Sequence, residues 1–204
     1  MAKELTAAQL EKQMNKSFLG QAYRAIEDLA MRERILARYA QLMKENPQKN
    51  REVARNMSRA ILPAIALRQV MLEEGIDRRE SYRTIRSSVL ASAESSKKFF
   101  SGLEKLPFFW GLVGWLCKMS MPASLAESNW RFEWIESDES CIHWNCLQCI
   151  TKDTFDRYGF SELTPIFCER DDLVYSDLSS MSWARTKTMG RGGDFCDFRF
   201  YRKR

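Results

Sequence analysis

Apolar and polar residues follow two different rhythms along this chain, recurring at steps of three and four up to about residue 122 and at steps of two afterwards. From Thr6 to Lys44 the positions Leu10, Met14, Phe18, Ile26, Leu29, Ile35, Tyr39 and Leu42 form the stripe of one long amphipathic helix, which Asn46-Pro47 stops. A second helix is predicted from Asn50 to Glu74 on Val53, Met57, Ile61, Ile65 and Met71, kinked by Pro63 and capped by Gly75. Asp77 with Glu80 three residues on opens a third, carrying Tyr82, Ile85 and Val89 to about Lys98.

The uninterrupted apolar run Leu106–Cys117, between Lys105 and Lys118, is 12 residues long, against the roughly 20 that cross a bilayer. No membrane span is expected. The run reads as a core helix or the apolar wall of a pocket, with a membrane-surface helix as the alternative. Beyond Pro122, Trp130, Phe132 and Trp134 alternate with polar neighbours, residues 136–140 make a turn, and Cys141 to Asn145 returns as a second strand. A short helix from Leu147 to Tyr158 ends at Gly159. Pro165 to Cys168 reads as extended and Asp171 to Leu178 as ambiguous. Met181 to Thr188 pairs with Phe195 to Tyr201 in a terminal hairpin, and Gly190, Gly192 and Gly193 supply its turn. Helices first and antiparallel strands afterwards define an α+β fold, with a helical region over 1–122 and an antiparallel α+β region over 123–204, integrated into one domain.

Composition narrows the function classes. With 204 residues, 45% of them hydrophobic, the chain can bury a core and lacks a disordered composition. The net charge of +5 sits wholly in residues 1–60, where 12 Lys/Arg face 7 Asp/Glu at helical spacing. Such an excess reads as a solvated helix face, and nucleic-acid binding is not expected. The polar start Met-Ala-Lys-Glu-Leu lacks the apolar run of a secretory signal, so residence in the cytoplasm and six cysteines in the thiol form are expected. Stripes on long N-terminal helices make a homodimer through those helices an expectation.

Chemistry concentrates in the C-terminal region. Cys141-x-His143-x-x-Cys146-x-x-Cys149 places four ligand-type side chains within nine residues, with Cys168, Asp171 and Cys196 further on. Three readings stay open: packing cysteines beside a core histidine, a zinc or iron site using Cys146, Cys168 and Cys196, or a catalytic thiol activated by His143 or an arginine. Asp171-Asp172 reads as an acid and base pair, a helix cap or a polar turn. Arg185 and Arg191 flank the glycine turn as carboxylate clamps or solvated charges. A fourth arrangement has Asp171, Asp197 and Arg185 running a reaction among inert cysteines.

Cys168-x-x-Asp171, Arg185-Thr186-x-Thr, and Gly193-Asp-x-Cys196-Asp197-Phe-x-Phe200, together with a cysteine at the head of the short helix matched by Cys146, resemble the C-terminal signature of the L-2-amino-thiazoline-4-carboxylic acid hydrolase family. The resemblance is clearest from Trp130 to Tyr201. It implies a hydrolase that opens a small carboxylate-bearing cyclic amidine or thiazoline ring by thiol- or metal-assisted attack. Cys146, Cys168, Cys196, Asp171 and His143 are then the catalytic candidates, and Arg185, Thr186, Arg191, Gly193 and Asp197 the substrate-binding ones. The same domain without turnover would be a small-molecule-binding or sensory module.

Overall fold

A computed structural model of the chain describes residues 5–120 and 130–203; the expected boundary at 122/123 lies outside them. The fold is α+β, with a helical assembly packed against one antiparallel sheet.

The single N-terminal helix predicted from Thr6 to Lys44 is three: α1 (Ala7–Asn15), α2 (Gly20–Ala25) and α3 (Leu29–Glu45). Two local features interrupt the stripe. A Cβ at Gly20 would lie 2.2 Å from the Asn15 carbonyl oxygen, so the chain folds sharply there on a residue without one. Asp28 then restarts the helix by accepting hydrogen bonds from the N–H groups of Ala30 and Met31. Thr6 and Gln9 form a capping box on α1.

The expected kink at Pro63 takes a specific form. α4 (Arg51–Asn56) runs through a π turn at Met57–Ile61 into α5 (Leu62–Glu73). Pro63 has no N–H to give to the carbonyl four residues back, and that carbonyl, on Arg59, instead accepts from Phe18 N–H at 2.9 Å. α6 (Arg78–Leu103) is capped by Asp77 and runs past the predicted end at Lys98. α7 (Phe109–Ser120) takes up the apolar run from its fourth residue and is short of a membrane span; no described helix is long and apolar enough to cross a membrane.

Four strands follow in the order β1-β2-β4-β3, all antiparallel: β1 (Arg131–Ser137), β2 (Cys141–Gln148), β3 (Met181–Ala184) and β4 (Cys196–Arg202). Trp144 stacks on Phe198 with ring centroids 5.3 Å apart, and Trp183 meets Phe200 at 4.8 Å, so large aromatics cement the inner face of neighbouring strands. The short helix α8 (Ile150–Arg157) begins three residues later than predicted, because β2 keeps pairing as far as Gln148. The stretch from Pro165, expected to be extended, opens helix α9 (Thr164–Tyr175). Proline in the first turn costs no hydrogen bond, which is why its presence there was misleading.

The main core joins the N-terminal helices to Ile150, Phe155, Leu163 and Ile166 from the C-terminal region. A second cluster lies under the sheet, around Phe109, Val113, Ile142, Trp144 and Phe200. Arg68, 2% exposed, crosses between the regions through Arg78 O, Ser81 Oγ and Glu162.

Candidate active site

Between the inner face of the sheet and helices α4, α7 and α9 lies a cavity of about 560 Å³. Its walls are mainly apolar, a third of the lining residues being aromatic, and four thiols of the C-terminal region open onto it: Cys146 from β2, Cys149 at the start of α8, Cys168 from α9 and Cys196 from β4. Strand register explains the meeting of two of them. Cys146 and Cys196 are directly paired across β2 and β4, and alternation turns both inward with Trp144 and Phe198.

The sulfurs are not equivalent. The Cys146 thiol donates to the Gln148 carbonyl oxygen, 3.3 Å away, and the nearby Cys149 and Cys196 sulfurs, with burial, push its pKa far up. It holds its proton. Cys149 is the N-cap residue of α8, and its thiol is drawn down to about 7, first by the neighbouring Cys146 thiol, then, against burial, by the N–H groups at the start of the helix, those of Lys152 and Thr151. A helix N-terminus is where a thiolate is favoured. Cys196 is lowered too, first by Cys146 and also by Met189 N–H, which lies 3.2 Å from its sulfur. Cys168, by contrast, is pushed up to about 11 by burial, as is Cys117.

Asp171 lies on the α9 wall. It lines the cavity, and the surrounding protein raises its pKa against the pull of Arg185 and Arg170. Arg185 is 2% exposed on its side chain and donates from Nη2 to Cys168 O (2.5 Å) and Asp172 Oδ1 (2.6 Å), with Nη1 3.4 Å from Asp171 Oδ2. Its Nε–H has no partner among the described residues. A Cβ at Gly190 would sit 2.7 Å from Cys168 Sγ, so the hairpin turn presses directly on α9.

Several predicted site residues lie elsewhere. His143 is on the opposite face of β2 from Cys146, outside the cavity lining, so the expected activation of that thiol by histidine has no geometry. Asp197 is likewise on the outer face; 1% exposed, it accepts from Thr186 N, Thr186 Oγ1 and Lys187 N and pairs with Arg199. Those bonds outweigh its desolvation and lower its pKa. Thr186 and Asp197 therefore fix the hairpin to itself. Gly193 N–H closes the turn on Thr188 O at 2.9 Å. Arg191 pairs with Asp172 and does not line the cavity. Among the described residues no group of three or more His, Cys, Asp or Glu side chains is placed to hold a metal ion, Cys146, Cys168 and Cys196 included.

One residue absent from the sequence-based catalytic set is Cys149. Moving the helix start from Leu147 to Ile150 makes it the N-cap, and that position was the available signal.

A family model for L-2-amino-thiazoline-4-carboxylic acid hydrolase matches residues 3–200 of the chain. The protein belongs to this family. The match extends the likeness seen at the C-terminus through the N-terminal helices as well. Comparisons with curated proteins and with solved structures found no match.

Proposed function

We propose that this protein is a thiol-dependent hydrolase that opens a small, carboxylate-bearing cyclic amidine or thiazoline, with Cys149 as nucleophile. The observation that carries the reading is the depressed Cys149 thiol at the N-terminus of α8, opening on an apolar cavity beside a protonated neighbour, Cys146. An ionised thiol is the reactive form, and lowering its pKa to near neutrality makes it abundant at physiological pH.

In the proposed reaction the Cys149 sulfur bonds to the ring carbon between sulfur and nitrogen. The ring carbon–sulfur bond then breaks, and the departing sulfur takes a proton from Asp171, whose pKa is raised by desolvation. The opened substrate stays attached to Cys149 through its former amidine carbon. Water adds to that carbon, the bond to Cys149 breaks, one water proton returns to Asp171 and the other ends on the former ring nitrogen. The product is a carbamoyl amine bearing a free thiol. The unpartnered Nε–H of Arg185 is available for negative charge developing during attack.

Purified protein assayed with 2-amino-thiazoline-4-carboxylate, following release of free thiol, tests this reading. Cys149→Ser should lower kcat by about 10³-fold or more, whereas Cys168→Ser should change it by less than about threefold. Ligand binding without turnover by the parent protein would support a binding module instead.

A further inference from the structure

The junction of α4 with the π turn carries a pair of polar side chains that the reaction above leaves unused. Asn56 and Arg59 both line the cavity. Asn56 Oδ1 is buried with no hydrogen-bond partner, and the half-buried Arg59 has no hydrogen bond or ion pair to its guanidinium among the described residues. An apolar cavity that leaves a guanidinium and a buried amide oxygen unmatched is complementary to a ligand supplying an anion and a donor.

The other cavity cations are already matched. Arg185 has both Nη atoms matched, by Asp171, Asp172 and the Cys168 carbonyl, which leaves it only the Nε–H already given to the reaction. Arg170 donates to Ser92 Oγ and Ser96 Oγ and lies 4.0 Å over the Phe18 ring. Arg55 is exposed and 4.0 Å from Glu52. Arg59 remains.

We infer that the junction of α4 with the π turn is the carboxylate subsite of this cavity: Arg59 pairs with the ligand carboxylate, and Asn56 Oδ1 accepts an N–H from the same ligand. This rests on the reading of the cavity as the site of a small carboxylate. It also assigns Pro63 a role, because the proline leaves the Arg59 carbonyl free for Phe18 N–H within the turn that carries Arg59 to the cavity wall.

The test uses two unreactive probes, thiazolidine-4-carboxylate and its carboxamide, titrated against the quenching of Trp130 and Trp144, which line the cavity. The parent protein should prefer the carboxylate by about 30-fold, as a bidentate charged pair provides. Arg59→Met should bind both probes equally, at the affinity of the amide. Cys149→Ser should leave the preference intact. Asn56→Leu should weaken both probes alike, since both carry the ring N–H, and unchanged affinity would remove Asn56 from the subsite. A full carboxylate preference in Arg59→Met overturns the inference while leaving the thiol reaction standing. Failure of the parent to bind either probe overturns the carboxylate-substrate reading itself. Should Arg59→Met lower Tm by more than about 5 °C, Arg59→Lys decides: a reduced preference supports the subsite, and an unchanged one overturns it.

Discussion

Cys149 and Cys146 sit three residues apart, yet the fold pushes their thiols in opposite directions. Cys146 lies in a strand, donates toward a carbonyl and keeps its proton; Cys149 caps a helix and loses its proton easily. The alkylation rate of Cys149 by iodoacetamide should therefore rise with pH through a midpoint near 7. In Cys146→Ala the largest depressing contact is gone, and the midpoint should move upward toward that of an ordinary thiol; no movement would contradict the pairing. Asp197 gives a second prediction at this scale. Its carboxylate is depressed in the folded state, so its contribution to stability is complete above the unfolded value of about 3.9 and fades as pH falls through the lower folded value. Asp197→Asn should cost about 1–3 kcal/mol near neutrality, and the gap between the two proteins in urea melts should narrow below about pH 4. The alternation of Cys196, Phe198 and Phe200 placed Cys196 on its proper face from sequence alone. The same alternation, applied to Cys141, His143 and Asn145, put His143 on the opposite face from Cys146, and the attraction of a lone histidine beside cysteines obscured that consequence.

At the scale of elements, periodicity exposed the stripes but not their interruptions. The joints at Gly20 and Asp28 preserve enough of the apolar spacing for three helices to read as one. Helix α9 was missed for the converse reason: Pro165 suggests extended chain, and the segment from Thr164 to Tyr175 has too weak an apolar stripe to overrule it. That miss mattered, because α9 carries Cys168, Asp171 and Tyr175 into the cavity wall. The kink at Pro63 was legible, but its resolution as a π turn depends on Phe18 N–H arriving from a distant loop, which no local pattern records. Pro63→Ala restores a donor that competes for the Arg59 carbonyl. The expected result is weaker binding of thiazolidine-4-carboxylate by about fivefold or more with Tm nearly unchanged, and parent-like affinity would contradict the role given to the turn.

Across the whole molecule the helical and sheet regions share structure. Phe155 and Ile166 lie in the helical core, and the Arg86–Glu169 and Arg68–Glu162 pairs connect the N-terminal helices to the C-terminal region. All six tryptophans fall between residues 110 and 183, so fluorescence reports the C-terminal half, while far-UV circular dichroism is dominated by helix. The two signals should melt with one midpoint, and separate midpoints would mean two independently folding units. The α+β class and the site-bearing hairpin were readable from rhythm and turn residues. The cavity itself was not, because it requires α4, α7, α9 and the sheet to meet, and such long-range packing leaves no local period. The proposed reaction makes the entire substrate a transient passenger on one sulfur. Acid-quenched turnover of 2-amino-thiazoline-4-carboxylate followed by intact-protein mass spectrometry should thus reveal a gain of one whole substrate mass, mapping to the peptide that contains Cys149. Turnover at the parent rate by Cys149→Ser, or an adduct on a different residue, would contradict this account.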